Sequence, residues 1–126
     1  MASILLIAQE WTPRVLMRAQ LREEGHDVAG CLTLDEGLLL LRRHPSGYDA
    51  VILDTLGQES SPRALARLAS AGPPVLVLTG PYDLASVDLA GLGFRQVLVR
   101  PVFVGDVVAA VRKMLRAAGQ VPGPTS

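Results

Sequence analysis

Residues 48–54 read Tyr-Asp-Ala-Val-Ile-Leu-Asp, an apolar run from Ala50 to Leu53 closed by the carboxylate of Asp54. A strand with one wet face would alternate apolar and polar residues. Four successive apolar residues leave neither face for water, the pattern of a strand buried on both sides in a parallel sheet. Two more runs share it, Ile4-Leu5-Leu6-Ile7 and Val75-Leu76-Val77-Leu78. With weaker runs at 26–30 and 96–100, five strands are predicted, over 3–8, 26–30, 50–54, 74–79 and 96–100. The 26–30 run is the least apolar, as an edge strand would be.

Helical patterns fill the gaps. Thr12 is the candidate N-cap of the first helix, with Pro13 at its first position and Gly25 as its stop. Thr33 and Glu36 have capping-box spacing ahead of Leu38, Leu39, Leu40 and Leu41. Ser61-Pro62 opens a third helix that turns Leu65, Leu68 and Ala69 inward and ends near Gly72. A fourth is predicted over about 83–90, ended by Gly91. In the fifth, Val104, Val107, Val108, Val111, Met114 and Leu115 recur on one face, and Gly119 ends it. Strand and helix thus alternate five times. The expected fold is α/β: a flavodoxin-like (βα)5 doubly wound parallel sheet in strand order 2-1-3-4-5. Residues 1–119 read as one domain. Residues 120–126, with Pro122, Gly123 and Pro124, read as a flexible tail or the stub of a linker.

Composition narrows the function. The chain has 126 residues, 49% apolar and 19% charged. That excludes a disordered chain and is long enough for a core without disulfides. Cys31 is the single cysteine and has no internal partner. No apolar run reaches membrane-spanning length, and the start lacks a secretory signal, so a cytoplasmic, reducing setting without membrane contact is expected. Twelve basic residues balance twelve acidic ones, whereas a dedicated nucleic-acid binder is strongly basic. No Walker A, His-Glu-x-x-His or Gly-x-Ser-x-Gly sequence is present, and Gly91-Leu92-Gly93 reads as a turn rather than a dinucleotide fingerprint. An enzyme is not expected.

In an open α/β sheet the functional residues lie just past the carboxyl ends of the strands. Those ends deliver Ala8-Gln9-Glu10, Asp54, Thr79-Gly80 and Arg100-Pro101, which should share one crevice. Together with the runs 48–54, 75–80 and 93–101, these residues resemble the receiver domain of two-component response regulators, over about residues 3–118. The resemblance implies that Asp54 is the phosphoacceptor, that Thr79 senses the phosphoryl group and that Arg100 pairs with it from the position of a lysine. It implies a cis bond before Pro101 and places Val97 at the aromatic switch position. It also places Ala8 and Gln9 where the family holds Mg²⁺ with paired acids.

The departures shape the expectation. Mg²⁺ takes hard oxygen ligands, and a methyl group and a neutral amide stand in place of the acids. Glu10 is the next acid along the chain. Any metal would rest on Asp54 and Glu10, so Mg²⁺ binding is expected to be weak, and no other cofactor is expected. Arg100 can pair directly with Asp54 and neutralise the pocket without metal or phosphate. Valine at 97 cannot swing as an aromatic ring does. The resemblance is therefore to a degenerate, or pseudo-, receiver: a signalling module that works by binding proteins, with weak or no Mg²⁺-dependent phosphorylation. Its implied partners are a histidine kinase, a phosphotransfer domain or an output protein. The implied output surface comprises the fourth helix, the fifth strand and the fifth helix, which could also form a homodimer. Two alternatives are a competent phosphoacceptor working through Asp54, Glu10 and Arg100, and a small flavin- or nucleotide-binding protein on the same fold. Gln9-Glu10-Trp11 stands against the latter, because it is not a glycine-rich phosphate loop. Arg14, Arg18 and Arg22 form a helical row, read as a solvated face partly paired with Glu23 or Asp27, or as a docking face for an acidic partner. His26 and His44 read as surface or strand-edge residues, and Cys31 as a small buried hydrophobe.

Overall fold

The computed structural model describes residues 2–80 and 88–119. The elements in chain order are β1 (Ser3–Ile7), α1 (Trp11–Glu23), β2 (Asp27–Cys31), α2 (Leu34–Arg43), β3 (Ala50–Asp54), α3 (Pro62–Ala69), β4 (Val75–Thr79), β5 (Gln96–Val99) and α4 (Val104–Ala117). The strands form one parallel sheet in the order β2-β1-β3-β4-β5, the expected 2-1-3-4-5 winding. Every residue of β3 and β4 is buried. The continuous apolar runs arise because alternate residues feed two different layers. Ile4, Leu6, Ile52, Leu76 and Leu78 pack with Met17 and Leu21 of α1 and Val107 and Val111 of α4. Leu5, Ile7, Val51, Leu53 and Val77 pack with Leu34 and Leu41 of α2 and Leu65 and Leu68 of α3.

The capping chemistry follows the sequence at two helices. Thr33 Oγ1 accepts from Glu36 N at 3.2 Å, and Ser61 Oγ accepts from Ala64 N at 3.1 Å with Pro62 opening the helix. At α4 the backbone N–H of Phe103 donates to Asp106 Oδ2 at 3.0 Å. The start of α1 differs from expectation. Its N-cap is Glu10, not Thr12, and Pro13 is the third helical residue. The first four helical N–H groups have no partner within the helix, so proline is as harmless at the third position as at the first. Of the predicted fourth helix, residues 83–87 lie outside the described residues. Residues 88–90 are not helical; Gly91 N donates to Asp88 Oδ1 at 3.0 Å in a turn. The tail expected at 120–126 also lies outside. Element α4 is the helix expected fifth.

Gly37 sits in the middle of α2, where glycine lacks a propensity advantage. A Cβ there would lie 2.4 Å from Ile7 Cδ1 and 2.9 Å from its Cγ1, so the missing side chain lets α2 close onto β1. Cys31 is buried at the end of β2, and burial pushes its thiol up to about 12. At pH 8 the folded protein is therefore expected to resist iodoacetamide, reacting stoichiometrically only once unfolded in urea, as intact mass would show. His26 is half-buried and accepts from Ala2 N at 3.3 Å, while His44 meets Tyr48 edge-on with ring centres 6.4 Å apart. Among the described residues no helix is long and apolar enough to cross a membrane.

Candidate functional site

All strands are parallel, so their carboxyl ends open at one pole, where β1, β3 and β4 are adjacent. Asp54 is the last residue of β3, in register with Leu78 of β4. Its side chain is 7% exposed, against 27% for Arg100. Arg100 follows β5 and is held by its backbone N–H, which donates to Thr79 O at 2.7 Å. From there Nη1 reaches back to Asp54 Oδ1 at 2.9 Å. The same Oδ1 accepts from Leu56 N at 3.0 Å. An unpaired carboxylate at that depth would be strongly disfavoured. A guanidinium and a backbone amide converging on one oxygen supply the compensation. The Arg100–Pro101 peptide bond is cis.

Thr79 ends β4 and is buried. Its hydroxyl lies 3.2 Å from Thr55 Oγ1 and donates to Gly80 O at 3.4 Å. Thr55, also buried, places its Oγ1 3.2 Å from Leu78 O and donates its backbone N–H to that carbonyl at 2.9 Å. Thr55 was not singled out from the sequence. A hydroxyl residue next to a strand-end aspartate was the available signal. Val97 lies within β5, half-buried against the α2–α3 side of the core.

The remaining strand-end residues do not build a cation site. Ala8 is fully buried, and its carbonyl accepts from Arg14 Nη1 at 2.9 Å. Arg14 also donates to Gln9 O at 3.2 Å. The first arginine of the row on α1 is thus a brace for the β1–α1 loop, which the solvated-face and docking readings both missed. Gly57, at φ +77°, lies against Gln9, with Cγ 3.2 Å and Glu10 Oε1 3.7 Å from the position of a Cβ. Among the described residues, no group of three or more His, Cys, Asp or Glu could hold a metal. Asp54 Oδ1 already faces a guanidinium, and a second cation beside it would meet repulsion. Among the described residues, the donor set does not fit Mg²⁺.

The loop after β3 is anchored across the pole. Gln58 donates from Nε2 to Leu32 O at 2.7 Å and accepts at Oε1 from Leu34 N at 3.2 Å. One amide thereby satisfies two backbone groups of the β2–α2 connection. No local spacing rule finds Gln58, because its partners are 26 and 24 residues away.

No protein-family model and no curated protein sequence matches the chain. Solved structures do. A response regulator receiver domain protein from Clostridium thermocellum superposes with TM-score 0.80 at 26% identity, over 95% of this chain and 98% of that one. A putative response regulator from Chloroflexus aurantiacus gives TM-score 0.75 at 22% identity, over 91% and 98%. NtrX from Brucella abortus gives TM-score 0.77 at 20% identity; the match covers 94% of this chain but 28% of that longer one. In strand order and overall fold, the chain is similar to the receiver domains of response regulators, the modules of two-component signal transduction.

Proposed function

We propose that this domain is a metal-independent receiver that signals by binding proteins rather than by accepting a phosphoryl group. The observation that carries the reading is the 2.9 Å contact between Arg100 Nη1 and Asp54 Oδ1. With both groups charged, the pair sums to zero. A phosphoryl group on Asp54 would bring about two negative charges to face one guanidinium. Phosphoryl transfer depends on cations that neutralise the equatorial oxygens and hold them in line. Here the positions implied for the acids are Ala8 and Gln9, so that neutralisation is missing. Arginine in place of lysine adds a planar fork suited to a carboxylate already present. The partner classes remain a histidine kinase, a phosphotransfer domain or an output protein. The cytoplasmic setting is part of the same proposal.

The test is intact mass after incubation with acetyl phosphate and Mg²⁺. The expected result is less than one-tenth occupancy of an 80-dalton adduct (about 80 Da for HPO₃) at millimolar phosphodonor, on the order of what an unassisted carboxylate would show. Stoichiometric addition that disappears in Asp54→Asn would establish the competent-phosphoacceptor reading instead.

A further inference from the structure

Beside the Asp54–Arg100 pair, a half-open groove of about 180 Å³ runs between the N-terminal halves of α1 and α4. Its floor is apolar and buried: Met17, Leu78 and Val107 are 4%, 3% and 1% exposed. Its rim carries large apolar side chains turned to water, Leu16 at 55%, Leu56 at 39% and Phe103 at 73% exposed. Asp54 and Arg100 line the same groove and are its charged members. A mostly apolar space of this size can take up a single aromatic ring, and a small number of convergent polar groups on an apolar lining is the make-up of a small-molecule site.

The carboxylate says what such a molecule must carry. Asp54 Oδ1 accepts from both Arg100 and Leu56, whereas Oδ2 accepts from no described residue. An ionised carboxylate has about four acceptor sites, and a ligand that covered Oδ2 would strip it of water and leave that acceptor without a donor. A ligand's own O–H or N–H would supply the missing donor. A second anion would meet the carboxylate, and a cation would meet the guanidinium beside it. A neutral head suits the pair.

We infer that the α1–α4 groove binds a neutral, mainly apolar small molecule whose hydroxyl or N–H donates to Asp54 Oδ2. Its body would lie on Met17, Leu78 and Val107, and Leu16 and Phe103 would fold over it. A polypeptide helix laid across the rim would cover the apolar side chains but could bring only a single side chain to a carboxylate this deep. The inference goes beyond protein binding, and its failure would leave the phosphodonor result unchanged.

The test uses 4-propylphenol and 4-propylanisole, which share a shape and differ in the hydroxyl proton, titrated into the full chain and followed by ¹H–¹⁵N NMR. The phenol should give saturable shifts at residues 13–17, 56 and 102–107, and should bind about tenfold more tightly than the anisole, the margin a hydrogen bond to a charged group supplies. Leu16→Asp, at an exposed position, should abolish binding and leave the remaining spectrum intact. Asp54→Asn should narrow the phenol's advantage. Equal binding of the two compounds, or binding that survives Leu16→Asp, would overturn the inference. No saturable shift with either compound would overturn it too.

Discussion

An Arg100→Ala protein is expected to lose about 2–3 kcal/mol of stability, read as a lower urea midpoint at unchanged slope. Removing one partner of a buried ion pair leaves the other charged and unpaired, at roughly 3–5 kcal/mol when both are enclosed. The guanidinium here is 27% exposed, so water and salt share the load and the figure falls below that range. Leu56 N–H stays on Asp54 Oδ1 and softens the loss further. Adding Asp54→Asn should return at least half of it, because the double variant no longer buries a charge. That rescue separates an electrostatic role from simple loss of side-chain packing. If Arg100→Ala alone changes stability by less than about 0.5 kcal/mol, the size of an ordinary surface substitution, the pair does not hold the pole together. Domains of this kind are stable by only about 5–15 kcal/mol, so the expected loss is a substantial part of the whole.

Gly37→Leu carries the second large effect, about 3 kcal/mol. Local propensity points the other way, since leucine is a better helix former than glycine by roughly 0.8 kcal/mol. Packing overrides it. The new Cβ alone would stand 2.4 Å from Ile7 Cδ1 and 3.6 Å from Cys31 Sγ. Ile7 is fully buried between β2 and β3, so it has little room to turn away. Overpacked cores lose about 1–3 kcal/mol. Ile7→Ala in the same chain should recover part of the loss, whereas Ile7→Ala alone should be destabilising by about 2–5 kcal/mol. Thermal unfolding of the four proteins completes the cycle. Additive effects would show that α2 and β1 do not meet at Gly37.

The fold was legible because the strands announce themselves without help from distant residues. Ile4 to Ile7, Val51 to Leu53 and Val75 to Leu78 are apolar on both faces, and only a doubly covered sheet accepts that. Thr33 and Ser61 cap their helices within three residues of themselves, and such local signals survive folding. The start of α1 was misplaced because Pro13 is compatible with the first and third helical positions alike. The turn at 88–90 was misread because Asp88 satisfies Gly91 locally, in a segment too short for periodicity to decide. The site was half legible. Strand ends name Asp54, Thr79 and Arg100 once the winding is known, and the pairing of Asp54 with Arg100 follows from their charges. The roles of Arg14, Thr55 and Gln58 were not legible. Each binds backbone carbonyls or amides, and a backbone group carries no residue-specific mark in the sequence.

The Gln58 amide acts as a mooring. Leu56 N–H holds one end of the loop after β3 to Asp54, and Gln58 holds the other end to Leu32 and Leu34. Between these two moorings lies a single residue, Gly57, already wound to φ +77°. Such a tether has no slack. Whatever pulls on the carboxylate of Asp54 strains a line made fast at the edge of the sheet, two strands away.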